Sequence, residues 1–409
     1  MTFRLALTMI LIGGVAAADD WPQFYGPGRD NRSEETGLLE QWPEGGPELA
    51  WTVSGLGVGY AIVAVADGMI YTTGDVEGEM VIFAMDPAGN ELWRRANGPA
   101  YEKSYPGSRC TPTIDGGKLF CTNGHGNMIC LDAKTGEEQW SVNFFERFGG
   151  REITWGVAES PLVVGDIVIC CPGGEDVFMA ALDRDTGETR WTCTGVGDNH
   201  SHTSPMLIRF ADTSVIVQMT GASLIGVDAD TGKLLFKHPH PARVNVDTPI
   251  YDDGSLYIFG TWGHGATRVD LAIEDGAWST TEAWHEVALD NEHGGVMLID
   301  GHLYGQADNN HKTRHMVCMN AETGETVWTI DDLAGKLSSA LTYVEGLLYI
   351  VTDQGEVGLI RPITEGLDVI SRFQIPPGGT GPLYAFPVVS NGRLFIRHGE
   401  YLFAYDVGA

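Results

Sequence analysis

The stretch "LDAKTGEEQW", residues 131–140, is written again as "LDRDTGETRW" from Leu182, "VDADTGKLLF" from Val227 and "MNAETGETVW" from Met319. Anchored on the acidic residue, further copies stand at Asp86 ("MDPAGNELW"), Asp270 ("VDLAIEDGAW"), a degenerate Arg361 ("IRPITEGLDV") and Asp406 ("FAYDVGA"), beside those at Asp132, Asp183, Asp228 and Asn320. The spacing is about 46 residues, a period that marks one supersecondary unit repeated along the chain. Chemistry explains the consensus. In Asp-x-x-Thr-Gly the carboxylate and hydroxyl cap backbone N–H groups of a tight turn, and Gly136, Gly187, Gly232 and Gly324 take the left-handed conformation that a side chain resists. The rings that follow (Trp93, Trp140, Trp191 and Trp328) project from an outer strand, where a large flat side chain fills the wedge between neighbouring sheets.

Upstream of each anchor lies a second signal. "PTIDGGKLFCTNG", "PIYDDGSLYIFG" and "PVVSNGRLFIR" read as strand, Asp-Gly or Asn-Gly turn, strand, with alternating apolar and polar residues. Each unit therefore supplies four strands, and no amphipathic helix of any length interrupts them. The ends complete the count. Asp406 has no Trp behind it and Trp51, in "GPELAWTV", has no Asp before it. Joined in space they make one composite repeat that removes the two free edges of an open ring. The expectation is an all-β, eight-bladed β-propeller of four-stranded antiparallel blades over residues 48–409, its last blade closed by N- and C-terminal strands. Residues 19–47 are expected as a leader packed on the exterior.

Residues 1–18 carry Arg4, an apolar run from Leu5 to Val15 and small residues up to Ala18, the pattern of a secretory signal peptide cleaved after Ala18. With no cysteine at that point and no later apolar run long enough to span a bilayer, the mature chain is expected in the periplasm or outside the cell, without a lipid or transmembrane anchor. The 55 Asp+Glu against 25 Lys+Arg give a net charge of −30, which repels phosphate backbones and excludes nucleic acid as a partner. Among the cysteines, Cys121 and Cys130 flank the turn in "NGHGN" and are candidates for a cross-strand disulfide or, equally, for buried free thiols.

The A-x-D-x-x-T-G-x-x-x-W pattern resembles the tryptophan-docking repeat of pyrroloquinoline-quinone (PQQ) propellers. Together with "ITWGVAESPL" and "NEHGGVMLIDGHLYG", it is similar to the PQQ-binding-like propeller proteins of planctomycete-type bacteria. The resemblance covers nearly all of the mature chain and implies the propeller fold. It leaves two activities open, since such propellers include quinoprotein alcohol dehydrogenases and an outer-membrane assembly factor.

The dehydrogenases of that family imply a vicinal disulfide over the quinone, Ca²⁺ held by oxygen ligands, and an Asp base. Cys170 and Cys171 are adjacent but fall within "GDIVICCPGG", where strand alternation points them to opposite faces. The near-constant repeat leaves little chain for cofactor loops, and no C-x-x-C-H haem motif occurs. No cofactor is expected on the leading reading, a monomeric, non-catalytic scaffold that binds a protein or envelope component. PQQ and Ca²⁺ enter only under the alternative, a periplasmic alcohol or sugar dehydrogenase. Residues just before each blade's first strand converge on the central channel. These are Tyr60, Arg109, Trp155 with Glu159, His200 and His202, Asp247, His293, Lys336 and Tyr384. Their mixture of charge, imidazole and aromatic faces suits a polar ring compound, a sugar, or a metal held by the imidazoles and carboxylates.

Overall fold

The computed structural model describes residues 20–307, 314–336 and 338–409, so the expected signal peptide at 1–18 lies outside the described residues. Among them the strands form eight sheets, each built on four antiparallel strands and one of them joined by a fifth, parallel strand, with one short helix at Phe144–Phe148. We number the blades 1 to 8 along the chain. Blade 2 is typical: Thr113–Asp115 innermost, then Lys118–Thr122, Asn127–Asp132 and Glu138–Asn143 outermost. Blade 8 is the composite. Glu48–Val53 pairs antiparallel with Tyr401–Asp406, placing Trp51 opposite Ala404.

Turn chemistry couples most blades to the next. Asp132 Oδ1 accepts from the Thr135 amide at 2.8 Å and from its hydroxyl at 2.9 Å, and Gly136 has φ 72°. A Cβ at Gly136 would lie 2.8 Å from the Trp93 ring, whose Nε1 donates to Ala133 O at 3.2 Å. The glycine thus serves the turn and seats the previous blade's indole. Trp140 on Gly187, Trp191 on Gly232 and Trp51 on Gly89 repeat the arrangement. In blade 5 the hairpin Gly265–Glu274/Ala277–Glu286 is lengthened, and the ring docked on Gly324 is Trp284. Trp278, which completes the quoted repeat there, stacks back on Phe236 at 5.9 Å.

Two expectations are corrected. Cys121 pairs across from Ile129 and Cys130 from Phe120, so the two thiols occupy opposite faces of blade 2 and cannot meet. Both are free and buried. The leader is not an exterior strap either: Trp21, Tyr25, Arg29 and Trp42 are buried. Innermost strands have no sheet neighbour on the axial side, and the leader supplies partners for them. Trp21 exchanges two 2.8 Å backbone bonds with Val65 of blade 1, and Arg32–Ser33 runs parallel to Ser339–Val344 of blade 7. Between these, Arg29 Nη1 donates to Pro205 O at 2.7 Å and Ser160 O at 3.2 Å, and Nη2 to Pro161 O. Those carbonyls stand where blades 3 and 4 begin. The leader therefore crosses the bore.

Candidate functional site

An antiparallel blade enters its first strand at one face of the ring and returns to that face between its second and third strands. Both sets of connections therefore gather around one mouth of the bore. There a cavity of about 470 Å³ opens, within the roughly 300–1,000 Å³ range of small-ligand sites. Of the positions expected from the sequence, Tyr60, Arg109, Trp155, His202, Asp247, His293 and Tyr384 line it, contributed by every blade except the seventh. Lys336 is exposed and takes no part in the wall. Glu159 and His200 are buried outside the lining. Glu159 Oε1 accepts from the Cys171 amide at 3.0 Å, and neither ring nitrogen of His200 has a hydrogen-bond partner among the described residues.

The sequence reading missed part of the wall. Trp262 and Arg314 come from connections between second and third strands, Tyr105 and Glu292 from segments already considered, and Phe24 and Tyr25 from the leader, which forms the floor. The stretch "TWGHG", residues 261–265, carried a usable signal, since the same antiparallel order that placed Asp247 at the mouth also places Trp262 there.

Backbone conformation sets this wall apart. Tyr25, Tyr105, Trp155 and Trp262 have φ of 64°, 47°, 74° and 56°. Left-handed backbone is unusual for bulky side chains, costs on the order of 1–3 kcal/mol per residue, and clusters where function demands a particular side-chain direction. Most other non-glycine residues in this region of conformational space are Asp, Asn or Glu, several at hairpin tips. Arg109 is held by carbonyls, with Nη1 to Gly107 O at 2.7 Å, and lies over the Tyr60 ring at 5.5 Å. His293 stacks on Tyr384 with centroids 4.1 Å apart, and Trp155 meets Trp262 nearly edge-on, at 72°.

Electrostatics follow burial. Asp247 is 5% exposed and its Oδ2 has no hydrogen-bond partner among the described residues; desolvation pushes its carboxyl up to about 7. Burial raises Glu159 to about 7 as well, opposed by hydrogen bonds from Cys171 and the charge of Arg29. His202 falls to about 4 through burial and then the charge of Arg109. It is neutral at physiological pH.

Because Asp247 holds its proton more tightly in the fold than in the unfolded chain, its contribution to stability is lost as pH climbs from the ordinary carboxylate range through about 7. Asp247→Asn removes that dependence. The variant is expected to be more stable than wild type at about pH 8, by up to about 4 kcal/mol and with a higher urea midpoint, and to match it below about pH 4. Urea titrations at the two pH values check this, and equal midpoints at both would contradict it.

Among the described residues no group of three or more His, Cys, Asp or Glu is placed to hold a metal ion, and no helix is long and apolar enough to cross a membrane. The family model described as "Outer membrane protein assembly factor BamB" matches residues 78–329. The outer membrane protein assembly factor BamB of Shewanella oneidensis is 25% identical over 248 residues, covering 54% of this chain and 56% of that protein. The quinohemoprotein alcohol dehydrogenase of Comamonas testosteroni is 28% identical over 193 residues, 43% of this chain and 26% of that protein. The match to these curated relatives thus spans about half of the first and a quarter of the second. The crystal structure of BamB from Moraxella catarrhalis superposes with a TM-score of 0.59 at 17% identity, covering 88% of this chain and 97% of that one, a likeness of fold.

Proposed function

The chain belongs to the family described as outer membrane protein assembly factor BamB, and from that premise we propose that it is an exported, non-catalytic scaffold. It presents a rigid disc to a protein or envelope component in the periplasm or outside the cell, and holds a small polar ligand in the cavity at its mouth. The observation that carries this reading is the closed ring itself, in which indoles dock forward onto the next blade's turn and the last sheet is sewn from both ends of the chain. Such a body changes shape little on binding and suits recognition by surface. Leu92, Val287 and Val327 are large apolar side chains left exposed on it. A photo-crosslinking residue placed at each in turn, in the native cell envelope, is expected to yield a discrete adduct from at least one position. Silence at all three would count against the scaffold.

The dehydrogenase alternative needs a PQQ and Ca²⁺ site, and the residues present do not make the set that the resemblance implies. Cys170 ends the second strand of blade 3, Ile167–Cys170, and packs toward blade 2, whereas Cys171 packs toward blade 4. Neither thiol lines the cavity, and both are free. Protein incubated with PQQ and Ca²⁺ is expected to emerge from gel filtration without quinone absorbance and without alcohol-dependent dye reduction. Retained quinone together with turnover would establish the dehydrogenase instead.

A further inference from the structure

The cavity's wall chemistry narrows what it takes. The four aromatic residues held in left-handed backbone, Tyr25, Tyr105, Trp155 and Trp262, all face it, so local conformation has been set against intrinsic preference to aim rings at one space. The orientation of those rings argues against a flat guest. Trp155 and Trp262 stand 6.5 Å apart at 72°, a corner and not a parallel slot, and the stacked pair His293–Tyr384 already occupies its own faces. A cationic guest is also disfavoured. Guanidinium groups already lie over the rings, Arg109 over Tyr60 at 5.5 Å and Arg243 over Trp262 at 4.3 Å, placing positive charge where a second cation would seek the π-face.

Polar groups of both senses complete the wall. Among the described residues, buried Asp247 has an oxygen with no partner, an acceptor suited to a donor, and Arg314 lines the same cavity with an Nε–H that has none. A ring that offers hydroxyls as donors and acceptors at its edge, and C–H groups on its face, satisfies both at once. We propose that the cavity is a saccharide site, in which a pyranose packs its C–H face on the Trp155–Trp262 corner and donates a hydroxyl to Asp247. This rests on the reading that the cavity holds a small polar ligand, and is independent of the scaffold role. The volume of about 470 Å³ accommodates a mono- or disaccharide with several waters.

The backbone of the site supplies a clean variant. Trp155 has φ 74°, where glycine is unstrained, so Trp155→Gly relieves conformational strain while removing the platform. Isothermal titration and saturation-transfer NMR with glucose, galactose, N-acetylglucosamine and their disaccharides, together with a glycan array, are expected to show binding by wild type. At least a tenfold loss is expected in Trp155→Gly and in Asp247→Asn, with the glycine variant keeping a single cooperative urea transition. Glycine betaine and PQQ serve as the cationic and flat aromatic probes. Binding of either with no saccharide bound overturns the saccharide class and leaves the ligand reading standing, whereas silence from every probe overturns both. Saccharide binding unchanged in both variants also overturns the proposal, because it places the sugar elsewhere on the disc.

Discussion

A chain from which Glu48–Val53 has been deleted is expected to lose its cooperative unfolding transition. Those six residues form the outer strand of blade 8, and with them goes Trp51, whose indole packs on Gly89 and donates to Pro87 O at 3.1 Å in blade 1. Truncating a packed Trp alone costs about 3–5 kcal/mol. The deletion also strips Tyr401–Asp406 of its outer partner and leaves an exposed edge. Against a total stability of about 5–15 kcal/mol, the ring has little margin to remain closed. Circular dichroism in urea is expected to show a broad, probe-dependent transition. A rearranged chain carrying residues 48–53 after Ala409, through a short linker, is expected to restore a single sharp one. A sharp transition near the wild-type midpoint in the deleted chain would show that the ring does not depend on its seam.

Arg29→Ala is the second large effect. One buried guanidinium serves Ser160 O, Pro161 O and Pro205 O, at the entries to blades 3 and 4, and its Nε also donates to Gln23 Oε1 at 2.9 Å. Burial lowers its pKa to about 9, with the charge of Glu159 opposing that fall, so it remains a cation at neutral pH. Removing it strands several carbonyls and deprives Glu159 of its nearby positive charge, a loss of about 3–5 kcal/mol. Arg29→Met keeps most of the apolar stem and is expected to lose nearly as much, because the donors matter more than the packing. Urea unfolding measures both, and limited proteolysis is expected to release the leader from either variant before the blades are cut. A loss below about 1 kcal/mol in both would mean that the carbonyls find other partners.

The ring was legible in the sequence because its demands are local. A turn that needs Asp, Thr and Gly, and a flat ring a few residues later, leave the same letters in several blades, and the divided copy at Trp51 and Asp406 betrays the seam. The entry positions were legible for a topological reason, since any residue just ahead of an innermost strand stands at the axis; Asp247 and His293 follow from that alone. What escaped depends on long-range partners. Nothing in "GPGRDNR", residues 26–32, says that Arg29 faces carbonyls more than 130 positions away. The cysteine pairing failed on a single step of register, because moving one residue along a strand exchanges its faces and sends Cys121 and Cys130 into different cores.

With Phe24 and Tyr25 beneath the cavity and Arg29 anchored across the axis, the disc is a cup and not a washer. A guest of the kind proposed would have one rim by which to arrive and depart. Any macromolecule seated across that rim would set the guest's residence time by obstruction alone, with no rearrangement of the ring beneath.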